Sequence, residues 1–265
     1  MPMSRDSLKS VCRLINQVNE SLPPEQAFLA DLKHSIEVTD EKTRHKPSQT
    51  YKPSSMNCIR SMYYQVLGAD QDHEPSSYCM VGICNSGSDI HIRTQKAVED
   101  MKVNGIDCEY IDVADFVRTR NLDHLTIVEK SGMETKLYYK DLNMSFLCDG
   151  IIRYKKHYYI LELKTEASFK WNNRTSVDPT HYNQATAYSI AFRLPEVMFV
   201  YINRDVLDMK SYILKPTDEM KQDLVGRITE CDGYVKRQIC PPKPDDVPKK
   251  TCTYCPYRVR CNQEV

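Results

Sequence analysis

The middle of the chain alternates between short apolar runs and polar turns, a pattern that predicts β-strands. The predicted strands cover residues 110–117, 125–129, 136–140, 144–154, 158–164, 197–202 and 211–214. Helices are predicted over residues 5–36 (two segments split by Pro23-Pro24), 56–67 (with a serine as N-cap), 88–102, 178–192 and 217–236. Residues 37–53 are predicted to be a loop and residues 68–87 an irregular connection. Helices on both sides of a run of strands predict a mixed α/β core.

Charged residues interrupt the two central apolar runs. Asp149 lies at the end of one run, and Glu162 and Lys164 are two positions apart in the next. Because side chains alternate across a strand, Glu162 and Lys164 share one face and the flanking leucines share the other. A hairpin turn at residues 155–157 would bring Asp149 back toward Glu162. Two carboxylates and an ammonium would then converge at a sheet edge, as in a divalent-metal site for phosphodiester hydrolysis.

The alternative interpretation is a solvated strand face, on which alternating charges are common. However, the neighbouring Ile151, Ile152 and Ile160 are apolar enough for buried strands. Buried strands seldom carry Glu and Lys without a function. We therefore favour a functional site.

Composition sets the limits for any partner. The 265 residues fit one large domain or a domain with an appendage, and 41% hydrophobic content is enough for a packed core. The 36 basic and 36 acidic residues cancel, so binding of nucleic acid would depend on local patches. No apolar run is long enough to span a bilayer, and the N-terminus lacks a signal-peptide pattern, so we expect a cytoplasmic protein without a membrane partner.

Gln184 and Tyr188 are four positions apart on one predicted helix, with His181 one turn earlier. An amide and a phenol on one face could hold a phosphate or orient a water molecule. The alternative is a half-buried tyrosine beside a solvated glutamine. On the evidence of this pair alone, we favour that alternative.

His91 lies at the predicted start of the helix over residues 88–102 and shares a face with Gln95. A single histidine is more often structural than a ligand. It becomes a candidate nitrogen ligand only if it lies beside Asp149 and Glu162.

The chain has 11 cysteines, a high number, and in a reducing compartment they are not expected to form disulfides. Cys252, Cys255 and Cys261 form a C-x2-C-x5-C pattern in a proline-bearing tail, and three such thiolates can surround one metal centre. Cys58 is the preferred fourth ligand. The alternatives for that place are Cys240, Cys231, Cys79 and Cys84. The spacing does not distinguish zinc from an iron–sulfur cluster.

The loop over residues 170–174 contains the only tryptophan of the chain, Trp171, together with Arg174. We expect this loop to contact DNA, with Trp171 stacked on a base. The alternative is that Trp171 anchors the loop.

Taken together, these motifs resemble the RecB-type branch of the PD-(D/E)xK nuclease superfamily, and within it the iron–sulfur nucleases: CRISPR-adaptation nucleases, the AddB nuclease domain and phage exonucleases. The resemblance covers residues 51–261, and residues 1–50 fall outside it. The positions that carry it are Gly87 and His91 (Gly-x3-His), Asp149, Glu162 and Lys164 (Glu-x-Lys), Gln184 and Tyr188 (Gln-x3-Tyr), and Cys58 with Cys252, Cys255 and Cys261. One departure is Cys148, which stands where the family often has proline.

The resemblance implies a restriction-endonuclease-like fold: a central mixed β-sheet flanked by helices, with an iron–sulfur clasp joining the N- and C-terminal parts. It divides the chain into an N-terminal helical segment (1–50) and a nuclease domain (51–265). The clasp would occupy residues 51–68 and 231–265 and would surround a catalytic core at 87–215.

The resemblance also implies the chemistry. Asp149, Glu162 and the Leu163 carbonyl would hold Mg²⁺ or Mn²⁺, with His91 as a further ligand, and a nitrogen ligand favours Mn²⁺. Lys164 would orient the attacking water, while Gln184 and Tyr188 would hold the DNA strand or the lysine.

The four cysteines of the clasp would hold a [4Fe–4S] cluster, with zinc as the alternative. The implied activity is that of a DNA exonuclease on single strands or duplex ends, in recombination, repair or phage DNA processing within the cytoplasm of a host cell. A second copy of the chain, or a recombination or replication protein, would be a further partner. The alternatives are a catalytically inactive DNA-binding module on the same fold and a zinc-ribbon interaction protein.

Overall fold

The computed structural model describes residues 22–43, 48–72, 76–244, 247 and 249–264. The described residues fall into two compact units. The first comprises residues 22–43 and 76–85, and the second residues 48–72 and those from 86 to 264. Residues 76–85, which the sequence assigned to the nuclease domain, therefore group with the N-terminal helix.

The second unit contains all the described strands, and the helix Pro24–Thr43 belongs to the first unit. The helices in chain order are α1 Pro24–Thr43, α2 Ile59–Val66, α3 Tyr78–Val103, α4 Val113–Thr119, α5 Ser168–Asn172, α6 Tyr182–Phe192, α7 Asp218–Arg237, α8 Lys249–Thr253 and α9 Arg258–Gln263. The strands are β1 Cys108–Ile111, β2 Leu125–Ser131, β3 Glu134–Tyr139, β4 Met144–Cys148, β5 Gly150–Tyr154, β6 His157–Glu166, β7 Val197–Asn203 and β8 Met209–Leu214. Short 3-10 turns cover Pro53–Ser55, Lys140–Leu142 and Pro179–His181.

The strands form two sheets. The larger has the order β1-β5-β6-β7-β8 and is mixed, because β6 and β7 run parallel while the other neighbours are antiparallel. The smaller sheet has the order β2-β3-β4 and is antiparallel throughout. The predicted mixed α/β core is confirmed.

The large sheet is packed on both faces. On one face α6 contributes Ala185, Ala187 and Tyr188 to a core that includes Phe199 and Tyr201 of β7. On the other, leucines of β6 pack with residues of α3 in a second apolar cluster. Burial on both sides makes any charged residue of β6 costly unless it is paired.

The predicted helix starts are formed by side-chain caps. Asp178 accepts a hydrogen bond from the backbone N–H of Thr180 at 3.0 Å, directly before Pro179. Thr217 accepts one from the backbone N–H of Met220 at 3.2 Å at the start of α7. Both caps satisfy N–H groups that a helix start leaves without partners.

The prediction of a strand over residues 110–117 is wrong in its second half. Strand β1 ends at Ile111, and the chain then turns into α4. The side chain of Asp112 caps this helix by accepting a hydrogen bond from the N–H of Asp115 at 3.0 Å. The apolar residues of 113–117 are compatible with one face of a helix as well as with a strand, so only the cap distinguishes the two.

Two segments predicted to lack regular structure are partly helical. Helix α1 continues to Thr43, into the predicted loop over residues 37–53, and α3 begins at Tyr78, inside the predicted irregular connection over residues 68–87. Two glycines within α3 misled the prediction, although a helical glycine costs only about 1 kcal/mol relative to alanine. His91 therefore lies well inside α3 rather than at its start.

The predicted helix over residues 56–67 is shorter than expected. A 3-10 turn at Pro53–Ser55 precedes it, and α2 begins after Cys58, whose side chain makes no capping hydrogen bond. The serine cap is therefore wrong. The first of the two helices predicted over residues 5–36 lies outside the described residues.

The predicted strand over residues 144–154 is two strands in two different sheets. Strand β4 pairs with β3, whereas β5 pairs with β1 and β6, and Asp149 is the single residue between them. The first acid of the predicted site is thus placed where the chain changes sheets. Among the helices that the structure describes, none is long and apolar enough to cross a membrane.

Candidate active site

Asp149 is only 9% exposed, and its carboxylate has two partners. Oδ2 accepts a hydrogen bond from the backbone N–H of Leu163 at 2.7 Å, and Oδ1 lies 3.5 Å from Nδ1 of His91. One partner comes from β6 and the other from α3. His91, a weak candidate in the sequence, is thus placed beside the acid.

The hairpin of β5 and β6 places Glu162 beside Asp149. Gly150 pairs with Leu161 in the antiparallel register, so the residue before one lies next to the residue after the other. The turn consists of Lys155 and Lys156, both with positive φ (46° and 70°), as expected for a two-residue hairpin turn. The predicted hairpin is confirmed.

Glu162, Lys164 and Gln184 form one hydrogen-bonded group. Nζ of Lys164 donates to Oε1 of Glu162 at 2.5 Å and to Oε1 of Gln184 at 3.0 Å. Nε2 of Gln184 donates to the same Glu162 oxygen at 2.7 Å and lies 3.0 Å from the hydroxyl of Tyr188. The Tyr188 hydroxyl donates to the carbonyl of Leu147 at 2.6 Å. The Gln-x3-Tyr pair of α6 thereby supports the Glu-x-Lys pair of β6.

Gln184 and Tyr188 are buried, at 6% and 3% exposure. The alternative of a solvated glutamine is therefore wrong. Their neighbours are protein groups, which agrees with a contact to the lysine rather than to a DNA strand.

The negative charge of Glu162 is not fully offset by the cations around it. Burial raises its pKa to about 7 despite the opposing charge of Lys164, and the charge of Asp149 adds to the increase. Burial alone would lower the pKa of His91, but the hydrogen bond to Asp149 and the charges of Asp149 and Glu162 raise it. One cationic partner beside each acid therefore does not offset the cost of burying Glu162 in its charged form.

Glu166, on the same face of β6, is a buried acid whose negative charge is fully paired with cations. It is also buried, at 5% exposure, which by itself would raise the pKa. Arg174 binds it through two hydrogen bonds of 2.7 Å and Lys170 approaches to 2.8 Å, and these contacts lower the pKa of Glu166 instead. At Glu162 burial outweighs the single ammonium in contact, whereas at Glu166 two cations outweigh burial.

The donor set suits a divalent cation. Two carboxylates, one imidazole and a backbone carbonyl are ligand types of Mg²⁺ and Mn²⁺ sites. Both hydrogen bonds to the Glu162 carboxylate end on Oε1, and within the described part of the chain none reaches Oε2. As placed, no three His, Cys, Asp or Glu side chains in that part meet the geometry of a metal site. Binding would therefore require these side chains to move from their positions in this structure.

The loop predicted to contact DNA has a different role in the structure. Trp171 lies in α5 with 9% exposure; its Nε1 donates to the carbonyl of Tyr201 at 3.1 Å, and Nζ of Lys210 lies 4.1 Å from the ring centroid. Arg174 is occupied by Glu166 and Asp178. The burial of Trp171 agrees with the anchor interpretation, and its base stacking stays a prediction. The DNA contact of Arg174 also stays a prediction, although its charge is already paired.

Three residues near Asp149 were not predicted from the sequence to belong to the site. Gln95 and Tyr110 both donate to the Asp149 carbonyl, at 2.7 and 2.9 Å. Glu134 is half-buried next to the pairing of Thr135 with Cys148, and burial, with the charge of Asp149, raises its pKa. The only signal in the sequence was the spacing of Gln95, one turn after His91.

The four predicted cluster cysteines line one cavity of about 40 Å³. Cys58 lies at the start of α2, and Cys252, Cys255 and Cys261 lie in the C-terminal segment that contains α8 and α9. Burial, and then the charges of neighbouring thiols, raise the pKa of Cys58, although backbone N–H groups oppose the increase. Four thiols are the donor set of a tetrathiolate centre, although as placed no three of these described cysteines have the geometry of a metal site.

The rivals of Cys58 are placed differently. Cys240 accepts hydrogen bonds from Arg60 at 3.1 Å and contacts the Tyr64 hydroxyl at 3.3 Å, and Cys231 is fully buried. Cys79 and Cys84 are exposed and belong to the first unit. None of these four lines the cavity.

No protein-family model and no curated protein matches this chain. Among solved structures, the chain is similar to SSO0001, with 16% identity and a TM-score of 0.48 over 91% of this chain and 98% of that one. It is also similar to an alkaline exonuclease from Laribacter hongkongensis, with 8% identity and a TM-score of 0.42 over 72% of this chain and 90% of that one. Both TM-scores are below 0.5, so the activity of either protein does not carry over to this chain.

Proposed function

We propose that this chain is a divalent-metal-dependent nuclease that hydrolyses phosphodiester bonds in DNA, as an exonuclease on duplex ends or single strands. The observation that carries the proposal is the buried pair of Asp149 and Glu162, of which Asp149 has His91 beside it and Glu162 has Lys164. Burying two carboxylates without enough positive charge is costly, and a bound cation removes that cost. Such an arrangement suits metal-assisted hydrolysis, whereas without a bound cation the charged pair costs the fold stability.

Asp149, Glu162, His91 and the Leu163 carbonyl are the residues that would hold Mg²⁺ or Mn²⁺. A cation bound there supplies a water of lowered pKa and positive charge for the scissile phosphate. The N–H of Leu163 fixes the Asp149 carboxylate from the other side, at 2.7 Å.

Lys164 is the residue that would orient the attacking water or stabilise the developing negative charge. An ammonium has three N–H donors, and Glu162 and Gln184 accept two of them. The third is left for the water or the phosphate. Its side chain is 22% exposed, so it can reach a substrate from the surface.

Gln184 and Tyr188 would position the lysine and the glutamate and would take no part in the reaction themselves. Gln184 holds Lys164 and Glu162 at the same time, and Tyr188 holds Gln184. Burial, and then the charge of Glu162, raise the pKa of Tyr188, so its hydroxyl keeps the proton that it donates to Leu147.

We further propose that Cys58, Cys252, Cys255 and Cys261 hold a [4Fe–4S] cluster. The cavity that they line and the distance along the sequence between Cys58 and the other three support a clasp between α2 and the C-terminal segment. Its role would be to hold the two ends of the second unit together.

The reaction is tested by a time course on end-labelled single- and double-stranded DNA, labelled at either end, with Mn²⁺, Mg²⁺ or EDTA. We expect shortening of the labelled strand that depends on the metal. Binding of DNA without cleavage would identify an inactive DNA-binding module instead. The colour of protein purified without oxygen tests the cluster: an iron–sulfur protein is brown, and a zinc protein is colourless.

A further inference from the structure

The backbone carbonyl of Asp149 is held by two side chains from elements remote in sequence. Nε2 of Gln95, on α3, donates to it at 2.7 Å, and the hydroxyl of Tyr110, on β1, donates to it at 2.9 Å. We propose that Gln95 and Tyr110 are positioning residues that orient the Asp149 carboxylate for a divalent cation. This inference rests on the proposed function.

The position of Asp149 explains why its carbonyl needs such partners. Cys148 before it pairs with Thr135 in the small sheet, and Gly150 after it pairs with Leu161 in the large one. A peptide group between two sheets belongs to neither ladder, and a buried carbonyl without a partner is costly. The carbonyl carbon and the side chain of Asp149 are bonded to the same Cα, so contacts that hold the carbonyl restrict the backbone that carries the carboxylate.

Gly150 makes room for this contact. A Cβ at that position would lie 2.5 Å from Cε2 of Tyr110, far closer than such atoms approach. The ring therefore lies directly against the backbone, which only glycine permits here. The same hydroxyl lies 3.1 Å from the carbonyl of Met133, so Tyr110 also ties the start of β3 to Asp149.

Helix α3 contacts both the side-chain carboxylate and the backbone carbonyl of Asp149. His91 faces the carboxylate at 3.5 Å, and Gln95, one turn later, binds the carbonyl. Gln95 is 1% exposed, so its amide has little freedom to turn away. A metal ligand and its support thus come from one rigid element, which is how outer residues fix the direction of ligands.

The test is Mn²⁺ binding by the Tyr110→Phe variant, measured by isothermal titration calorimetry. EDTA first removes any divalent cation from the carboxylate site. Phenylalanine keeps the ring against Gly150 and removes only the hydroxyl. Tyr138→Phe is the matched control, because its hydroxyl binds the side chain of Asn143 at 3.2 Å in the small sheet. Thermal melting in EDTA gives the stability of each variant.

We expect Tyr110→Phe to raise the Kd for Mn²⁺ roughly tenfold, within the range typical of outer residues of metal sites. Tyr138→Phe should leave the Kd unchanged, and both variants should melt at similar temperatures in EDTA. Excess Mn²⁺ should restore cleavage by Tyr110→Phe. Should Tyr110→Phe fail to fold, Gln95→Met, which removes the other donor at similar volume, must give the same increase in Kd.

Two results would overturn the inference, and they differ from each other. Equal Kd values for wild type, Tyr110→Phe and Gln95→Met would reject the positioning role and leave the proposed function intact. Absence of Mn²⁺ binding in the wild type itself would reject the proposed function, and this inference with it.

Discussion

At the scale of single residues, the site depends on how many cations face each buried acid. Glu162 and Glu166 lie on the same face of β6 and are both buried, yet their pKa values move in opposite directions. Glu166 has Arg174 and Lys170, whereas Glu162 shares Lys164 with Gln184. The charge missing at Glu162 is what a metal ion would provide.

The raised pKa of Glu162 predicts how the metal-free protein responds to pH. A carboxyl whose pKa is about 7 when folded and 4.5 when unfolded contributes most stability below pH 4.5 and loses it as the pH rises through 7. We expect the free energy of unfolding in EDTA to fall from pH 6 to pH 8 by an amount on the order of 1 kcal/mol through this group. Urea denaturation at both pH values measures it.

Glu162→Gln is the control for that pH dependence. Glutamine cannot ionise, so the variant should lose less stability than the wild type over the same interval. An equal loss in both proteins would show that Glu162 does not titrate there.

The acids and the lysine of the proposed site could be found in the sequence because they carry charge within apolar runs. Asp149, Glu162 and Lys164 stand out for that reason, and the hairpin that joins them is local. Gln95 and Tyr110 could not be predicted, since they act on a backbone carbonyl that lies 54 and 39 residues away. Nothing in a single sequence reports such contacts.

At the scale of secondary-structure elements, the hairpin turn that brings Asp149 to Glu162 is strained. Lys155 and Lys156 both adopt positive φ, which disfavours residues with a Cβ. Lys156→Gly should therefore stabilise the protein, by about 1 kcal/mol. Urea denaturation measures the change.

Lys136→Gly serves as the matched control in this experiment. Lys136 is exposed within β3, where glycine weakens a strand, so this variant should be destabilised. Destabilisation by Lys156→Gly as well would contradict the strain at the turn.

Helix α5 gives a second prediction at this scale, since Trp171 is the only tryptophan and is buried. Its fluorescence should resist quenching by acrylamide and should not change when single-stranded DNA is added. Trp171→Ala should lower the free energy of unfolding by about 3–5 kcal/mol, as for other buried aromatic residues. Quenching by DNA would instead favour the base-stacking interpretation.

Predictions of elements failed where one pattern suits two structures. The residues of α4 were predicted as a strand because a short apolar run fits either structure, and the Asp112 cap decided the outcome. The run over residues 144–154 was predicted as one strand because nothing in its apolar pattern marks a change of sheet. That change is the feature that places Asp149.

At the scale of the whole molecule, the proposed cluster would join α2 to the C-terminal segment of the second unit. Cys58→Ser and Cys261→Ser should each abolish the brown colour and lower the melting temperature, because the clasp between α2 and the C-terminal segment would be lost. Cys79→Ser is the control: Cys79 is exposed in the first unit and lines no part of the cavity. Visible absorbance and thermal melting measure both effects. Full colour in Cys58→Ser would contradict the assignment of the fourth ligand.

The central claim is that Glu162 belongs to the chemistry, whereas Glu166 belongs to the fold. The most direct measurement compares cleavage of end-labelled single-stranded DNA with Mn²⁺ at 20 °C by wild type, Glu162→Gln and Glu166→Gln, with the melting temperature of each in EDTA. We predict that Glu162→Gln loses cleavage by about 10³-fold or more while remaining folded, as expected when a metal ligand of a hydrolase is removed. Glu166→Gln should melt at a lower temperature and still cleave. Retained metal-dependent cleavage by folded Glu162→Gln would contradict the account.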